Sequence, residues 1–580
     1  MAPGLTFTVQ VGTKRGSKQC QPIGIGNKHR ICGISTMTAS RLLHCLLGIL
    51  IISSPLLVSE SCTSMEKTIH QVPERQSAPA DTNVSGRPAP TERSERTSER
   101  SVSTGPLKVT IGEAILLTLE NNRALVVERS NPLIQKTFED SEQADFDPET
   151  AAEISAGRVD GERLARSGSG TESFTRDTAE GVISLRQFFP TGTTVSVEGS
   201  TDMDDSSLYR EGLYSSRIGM SITQALLRGY GTDVNLATLH QARLETRLSE
   251  YELRGFTQSL VAQVERTYWD YAVAGRQVEI YEESLKVARQ QLNETKELIA
   301  VGRLPKAELP AVQAEVAAQE QGLINARSDK DSIHLQLLRL LNPAGPDLWK
   351  RQIDLIYQPT LPEIKMDKVE LHVEVSMRMR PILNEARLRI LSNDLELVRT
   401  KNGLLPLLDL FVTLGTSGYA DSFGQSVSNI DGGNYDVLAG IRFQYPIYNR
   451  DARARQQRAM LSRDQAENAF ENLSQLVEVD VRTAYIEVRR SKQQIAASSA
   501  TRRLNEEKLR IETEKLRVGK STSFLVAQAQ RDLLISRIAE VQALANYIKA
   551  LVNLYQQDGS LLERRGIGAP GREPVTLSKR

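Results

Sequence analysis

The second half of this 580-residue chain repeats the first half at a fixed distance along the sequence. Eight residues recur unchanged 217 positions later (481 − 264 = 217), and no gap is needed between the first pair and the last. The first members are Val264, Tyr268, Gln277, Leu292, Glu297, Val301, Gly302 and Gln313, and the second members are Val481, Tyr485, Gln494, Leu509, Glu514, Val518, Gly519 and Gln530. A duplication of this size predicts two copies of one structural unit.

Charge and residue composition exclude several classes of protein. The 72 basic and 72 acidic side chains cancel, so no basic surface argues for a nucleic-acid partner. All four cysteines lie within the first 62 residues, which excludes a disulfide scaffold or a cysteine zinc site in the main body. His240, His334 and His372 lie on predicted helices without acidic or nucleophilic partners at a telling spacing. We expect them to be solvated helix residues, and we predict no enzyme activity, cofactor or metal.

Residues 1–61 are interpreted as an export signal. Arg41 precedes an apolar run over residues 42–58, and small residues follow this run, which is the order found in secretory signal peptides. A permanent membrane helix is the weaker interpretation, because Pro55 interrupts the run and a hydrophilic segment follows it. Met37 is a candidate true start. Alternatively, residues 1–36 form an unusually long basic leader.

The end of the signal leaves two interpretations open. Ser61 and Cys62 fit cleavage before Cys62 followed by its lipidation, as in bacterial lipoproteins, and they fit ordinary cleavage after Ser61 equally well. Residues 62–106 are dense in Ser, Thr, Pro, Arg and Glu and carry few large apolar residues. Such a segment cannot bury enough surface to fold, so it is predicted to be a disordered tether.

The main body is predicted to contain two repeats, 107–349 and 359–560, followed by a C-terminal tail, 561–580. In each repeat the pattern predicts a helix, extended segments, a very long helix, a tight break and a shorter helix. Thr110 and Glu113 have the spacing of a capping box at the start of the first helix.

Extended segments in both halves alternate apolar and polar residues, which predicts strands over 217–223, 408–414 and 437–445. Such strands fit a soluble sheet, or a membrane barrel with lipid outside and water inside. Residues 188–193 (FFPTGT) look like a turn joining an extra pair of strands, and the number of strands in 146–200 stays open. Two strands in each half give about four in the chain, fewer than the roughly eight of the smallest membrane barrels. One chain cannot close such a barrel, whereas three chains supply about twelve strands.

Two very long helices decide the predicted architecture. Their apolar positions recur in steps of three and four, as in coiled coils. They extend from about residue 232 to 301 and from about 450 to 518, which is roughly 105 Å for the first. Only Gly302-Arg303-Leu304-Pro305 and Gly519-Lys520-Ser521-Thr522 separate each long helix from the next, so each pair is predicted to form an antiparallel hairpin. The predicted fold is mixed but mostly α, with duplicated coiled-coil hairpins and antiparallel strands.

Several short motifs in this order resemble the TolC-like outer-membrane efflux protein family. They are Phe146-Asp147-Pro148, Gln224-Ala225-Leu226-Leu227-Arg228-Gly229, Gln444-Tyr445-Pro446-Ile447-Tyr448, and Val518-Gly519 followed by Leu525-Val526-Ala527-Gln528. The resemblance covers about residues 107–560. It implies a homotrimer with a transmembrane β-barrel in the bacterial outer membrane and an α-barrel tunnel through the periplasm. It also implies a passive channel for efflux or type I secretion, in contact with outer-membrane lipid, a periplasmic adaptor and an inner-membrane pump.

The resemblance further implies that the hairpin turns form a gate at the periplasmic mouth. Where the family carries an arginine and two aspartates after the second turn, this chain has Ser521, Leu525 and Gln528, so that acidic ring is absent. The candidate gate and turn residues are Gly302, Arg303, Lys306, Glu308, Gly519, Lys520 and Ser521. We predict that charges of the first turn line the mouth, with Glu308 appearing three times around the axis. The alternative interpretation is that Arg303, Lys306 and Glu308 are ordinary exposed turn residues.

Two other classes of protein have coiled-coil hairpins. A periplasmic adaptor would insert one hairpin within lipoyl-like and barrel domains, whereas this sequence duplicates a hairpin with strands between the copies. A structural coiled-coil protein of the envelope would not need the alternating strand segments. The outer-membrane channel is therefore the favoured interpretation.

Overall fold

The computed structural model describes residues 106–166, 168–208, 210–343, 348–356, 366–431 and 433–577. The predicted export signal, Met37, Cys62 and all but the last residue of the predicted tether lie outside the described residues. Within these ranges, no helix combines the length and the apolar character required to cross a bilayer.

The first repeat opens with a short strand and three helices. These are β1 (Leu107–Val109), α1 (Ile111–Asn121), α2 (Arg123–Glu128) and α3 (Asn131–Ala144). The predicted capping box is present, since the Thr110 hydroxyl accepts from the Glu113 backbone N–H and the Glu113 carboxylate accepts from the Thr110 N–H at 2.8 Å. These bonds lower the pKa of Glu113 below its usual range. The capping box therefore fixes the start of α1.

The second repeat opens in the same way. Its helices α7 (Val369–Met379) and α8 (Pro381–Gly403) follow β6 (Ile353–Leu355), which pairs in parallel with β1. The two helices of each copy meet at one extended residue, Asn122 (φ −66°, ψ 119°) in the first copy and Arg380 (φ −65°, ψ 124°) in the second. The duplication therefore preserves backbone geometry at these junctions.

The long helical hairpins follow the predicted limits closely. Their helices are α4 (Thr232–Asn235), α5 (Ala237–Ala300), α6 (Leu309–Leu341), α10 (Arg450–Arg517) and α11 (Ser523–Gln557). α5 has 64 residues and α10 has 68, so each is about 100 Å long. The first long helix starts later than predicted, because Leu236 separates the single turn of α4 from α5.

A six-stranded sheet stands between the helical parts of the two copies. In spatial order its strands are β2 (Glu149–Leu164), β3 (Thr171–Phe189), β4 (Thr193–Ser206), β5 (Leu213–Ala225), β7 (Leu407–Ala420) and β8 (Tyr435–Gln444), and every neighbouring pair is antiparallel. A short helix, α9 (Phe423–Ser428), connects β7 to β8. The three predicted strands correspond to β5, β7 and β8, and the predicted turn at residues 190–192 joins β3 to β4.

The prediction of four strands in each chain is wrong. The described residues contain six strands in this sheet, because residues 149–189 form an additional hairpin. Its first strand was hard to recognise because its two faces differ little in polarity: Ile154 stands among alanines and a threonine on one face. Period-two alternation is a weak signal when both faces are composed of small and polar residues.

The apolar core lies where the long helices of both copies meet the opening helices. Its most buried members include Val264, Tyr268, Leu337, Val481, Val488 and Leu554. The predicted C-terminal tail packs on this region: Leu561 and Leu562 in α12 (Leu561–Arg564) are fully buried, and Val575 is buried farther along. The Arg565 guanidinium donates two hydrogen bonds, of 2.6 and 2.5 Å, to the buried carboxylate of Glu265.

The expectation that His372 is solvated is wrong. The side chain is buried, and its Nδ1 lies 2.8 Å from the Asp558 carboxylate, which is also buried. Asp558 follows α11, so this contact fastens the opening helix of the second copy to the end of its last helix. No local pattern indicated this contact, since 186 residues separate the two partners.

Candidate functional site

One face of the sheet is apolar and exposed to solvent in the isolated chain. Strand register and alternation place its large side chains on this common face. They are Ile154, Ile183, Leu185, Val195, Val197, Ile218, Met220, Ile222, Leu410, Val412, Leu414, Val437, Ile441 and Phe443. Most of them are exposed, with Ile441 and Phe443 at 67% and 65%. A continuous exposed apolar band of this kind requires an apolar environment or a partner.

The opposite face of the sheet carries charge. The same register places there Glu153, Glu180, Arg186, Glu198, Asp202, Asp204, Arg217, Asp409, Asp436 and Arg442. Arg217 of β5 reaches across β7 to Asp436 of β8, with Nη2–Oδ2 at 2.7 Å. The residue that it crosses is Gly415, where a Cβ would lie 2.6 Å from Asp436 Oδ1. Glycine at this position therefore leaves room for an ion pair on the charged face.

The two hairpin turns have the same backbone structure. Gly302 and Gly519 both have a φ of +73°, a conformation that residues with a Cβ rarely adopt. The N–H groups of Gly302 and Arg303 donate to the carbonyls of Ile299 and Leu298, and the second turn repeats this pattern. These are the two bonds of a Schellman motif, which satisfies carbonyls at the end of a helix. Each long helix therefore ends at its glycine, as predicted.

The tips of the two hairpins contact each other within one chain. The Glu308 carboxylate accepts a hydrogen bond from the Ser523 backbone N–H at 2.9 Å, at the first residue of α11. A negative charge is favourable at this position, because the N-terminus of a helix carries partial positive charge. Glu308 therefore holds the first turn against the start of the helix that follows the second turn.

Ion pairs also join the two hairpins farther from the tips. Arg531 of α11 lies 3.2 Å from the carboxylate of Glu315, which is buried in α6. Arg537 of α11 lies 3.6 Å from Glu283 of α5. These contacts are candidates for bonds that must break if the second hairpin moves away from the first.

The structure separates the predicted gate residues into two groups. Glu308 is part of the contact between the tips, and the Ser521 hydroxyl donates to Glu512 Oε2 at 2.7 Å. Lys515 and Ser521 together lower the pKa of Glu512. In the described part of the chain, no ion pair joins Arg303, Lys306 or Lys520 to a carboxylate.

Sequence reasoning missed Glu315, Arg531 and Glu512. Glu315 had a usable signal, because it lies three residues after the buried Val312 and four before the buried Gln319, on the face that packs. A carboxylate at such a spacing needs a partner. Arg531 and Glu512 offered no comparable signal, since each lies on a helix with many exposed charges.

One protein-family model and several solved structures match this chain. The family model for outer membrane efflux proteins matches residues 187–343 and 377–560. No curated protein shows significant sequence similarity to the chain.

Solved structures show similar folds at low identity. The CmeC outer membrane channel of Campylobacter jejuni is 15% identical with a TM-score of 0.59, covering 78% of this chain and 86% of its own. VceC of Vibrio cholerae is 14% identical with a TM-score of 0.57, covering 77% and 96%. The open MtrE channel of Neisseria gonorrhoeae is 16% identical with a TM-score of 0.55, covering 78% and 89%. Since the family model matches more than half of its residues, the chain belongs to the outer membrane efflux protein family, the outer-membrane channels of tripartite efflux systems.

Proposed function

We propose that this protein forms a passive trimeric tunnel from the periplasm to the cell exterior, as the outer-membrane component of an efflux or type I secretion system. One observation carries the proposal. A sheet with one apolar and one charged face adjoins two helical hairpins that are each about 100 Å long. Such a sheet suits a wall with lipid outside and water inside, and the hairpins suit a tunnel that continues from it.

Several copies are required because the sheet of one chain is open. Its two edge strands, β2 and β8, each have one neighbour, and unsatisfied backbone groups are not tolerated in lipid. A second feature supports assembly on the helical side. Exposed apolar residues recur along α10 at spacings of 18, 7, 18 and 7, which bring them onto one stripe. These residues are Leu461, Val479, Ile486, Leu504 and Ile511.

The hairpin tips would form the periplasmic mouth, where an adaptor and an inner-membrane pump engage. Glu308 would act there as a latch, because it bonds to Ser523 across the two tips. Arg303 and Lys306 beside it would face the tunnel or the adaptor. The Glu315–Arg531 ion pair would add a second bond between the two hairpins, which would also have to break if the tips move apart.

The alternative classes are not favoured. A periplasmic adaptor has no need of a sheet whose exposed apolar band spans six strands. A structural coiled-coil protein leaves that band unexplained for the same reason.

The first experiment measures assembly and conductance. We expect the purified protein in mild detergent to have the mass of a trimer by light scattering, to dissociate on heating, and to give discrete conductance steps in planar bilayers. A monomer at every protein concentration, with no conductance steps, would contradict the proposed function.

The second experiment separates the two roles of Glu308. Glu308→Gln removes the charge but keeps an oxygen that can accept from Ser523, whereas Glu308→Ala removes both. If Glu308 is a latch, the alanine variant opens more often than the wild type and the glutamine variant stays close to it. If Glu308 forms a ring of charge, both variants lose cation preference to the same extent. Gln528→Ala, which changes no charge, is the control.

A further inference from the structure

The two edges of the sheet are long and regular, and no other described strand pairs with them. β2 has 16 residues and β8 has 10, and neither strand contains a proline. Nearly every residue in both strands is exposed. Proteins usually block or cover such an edge, because its free N–H and C=O groups readily pair with another strand. Six antiparallel strands also make β2 and β8 run in opposite directions, so β8 of one copy can pair antiparallel with β2 of the next.

The apolar band is inclined across the sheet. Its centre lies at Gly440 in β8, which is opposite Phe411 of β7. In β2 its centre lies at Glu153, and following the register through β3, β4 and β5 aligns Glu153 with Ser417 of β7. The band therefore shifts by six residues (417 − 411 = 6) over five steps between strands. At about 3.3 Å per residue and about 4.8 Å between strands, the strands are tilted by about 40° from the perpendicular to the band, which would be the axis of a barrel.

This inclination is the one that a membrane barrel requires, since strands in such barrels are tilted by about 35–45°. The additional hairpin follows the same line as the other four strands. Ile154, Ile183 and Leu185 continue the apolar band, and Glu153 and Glu180 continue the charged face. The hairpin of β2 and β3 therefore has the surface of wall strands.

We propose that all six strands enter the barrel wall, so that three copies close an eighteen-stranded barrel through a seam between β8 of one copy and β2 of the next. The inference rests on the proposed trimeric channel and specifies its wall. Apolar side chains must face outward on both sides of the seam, and the shift of the band must continue through it. These two conditions place Ile441 opposite Ile154 or, one pleat away, opposite Ala152. The barrel is about half as wide again as one built from twelve strands, since diameter grows roughly linearly with strand number.

Disulfide crosslinking in outer membranes tests the seam. A Cys62→Ser background removes the one cysteine that the predicted cleavage after Ser61 leaves in the chain, because the other three lie within residues 1–61. In that background we expect Ile441→Cys combined with Ile154→Cys or Ala152→Cys to give crosslinked dimers and trimers, and no larger species, on oxidation. Arg442→Cys combined with Ile154→Cys is the matched control, because the two side chains then face opposite sides of the wall and stay uncrosslinked.

A third pair tests the twelve-stranded alternative. If the hairpin of β2 and β3 lies outside the wall, β8 pairs with β4 of the next copy, and Ile441→Cys crosslinks with Val197→Cys instead. That result would overturn the eighteen-stranded wall but leave the trimeric channel intact. The seam would also be overturned if Ile441→Cys crosslinked with neither Ile154→Cys nor Ala152→Cys in a protein that light scattering shows to be a trimer. A monomer would instead contradict the proposed function itself.

Discussion

The long helices of the two copies, α5 and α10, match in length and in the turn that ends them, yet they differ sharply in burial. α5 buries 22 of its 64 residues, whereas α10 buries 7 of 68. Within one chain, α5 is covered by α3, α6, α8, α11 and the C-terminal segment, and α10 packs against α7, α8 and α11. Duplication therefore supplied two equal helices, and their surroundings gave them different surfaces.

Matched positions show the same difference at the level of single residues. Glu265 of α5 is fully buried beneath Arg565, whereas its counterpart Arg482 of α10 (482 − 265 = 217) is exposed and pairs with Glu478 one turn away. Ala262 is fully buried, and its counterpart Val479 is 60% exposed. The first copy therefore supplies much of the interior of the chain, and the second leaves its long helix exposed, on the surface proposed to meet a neighbouring copy.

The largest expected effect comes from removing the ion-pair partner of Glu265. Arg565→Ala leaves this carboxylate buried without its partner, which should lower the free energy of unfolding by about 3 kcal/mol. The matched change in the second copy, Glu478→Ala, removes only an exposed partner of Arg482 and should cost about 0.5 kcal/mol or less. Urea unfolding in detergent, followed by the fluorescence of Trp269 in the core, measures both. Equal losses would show that the two positions do not differ as their burial indicates.

The next effect concerns the stripe on α10. Ile486→Glu places a charge on the surface proposed to meet a neighbouring copy, where burying an isoleucine is worth about 2 kcal/mol. We expect the trimer to dissociate in detergent while the helical content by circular dichroism stays unchanged. Met460→Glu is the control, because Met460 is similarly exposed but lies away from the stripe. A stable trimer in the Ile486 variant would remove this stripe from the interface.

The opening helices of the two copies are expected to differ in how pH affects stability, because a partly buried glutamate of the second copy corresponds to a valine in the first. Burial, with a smaller contribution from the charge of Glu252, raises the pKa of Glu385 in α8 to about 7. The penalty for its charge is absent below pH ~4.5, grows as the pH rises, and is complete above about 7. Glu385→Gln should therefore stabilise the protein at high pH, by about 2 kcal/mol once the shift is discounted for the partial exposure of the side chain, and have no effect at low pH.

Thermal unfolding at pH 8 and at pH 4 measures this difference. Glu370→Gln, at an exposed glutamate of α7, is the control. The corresponding residue of the first copy is Val127, which is 65% exposed. Valine has no ionisable side chain, so no such titration is expected there. Stabilisation of the same size at both values of pH would contradict the assignment.

The smallest expected effects concern the two hairpin turns, which have the same backbone structure in both copies. Gly302→Ala and Gly519→Ala each place a Cβ at a φ of +73°, which should cost about 1–2 kcal/mol in either turn. Gly403→Ala in α8 is the control, because this backbone lies outside the left-handed region and a Cβ there meets no neighbour. Thermal unfolding measures all three. A cost in only one turn would show that the two turns are not equivalent.

The sequence by itself determined the local features of this fold. The capping box at Thr110, the glycines that end the long helices and the alternation in β5, β7 and β8 depend on residues a few positions apart, and the structure has all of them. Repetition at a fixed offset then extended each local prediction to the second copy. The family resemblance agreed with these elements because the same local patterns carried it.

The tertiary structure alone decided which of these elements meet. The Glu308–Ser523 bond spans 215 positions and the His372–Asp558 bond spans 186, distances over which no periodicity can pair two side chains. The β2–β3 hairpin also required the structure, because strands that are small and polar on both faces reveal themselves only through their backbone partners. Local patterns determine secondary structure through neighbouring residues, whereas burial and charge pairing depend on which surfaces the folded chain brings together.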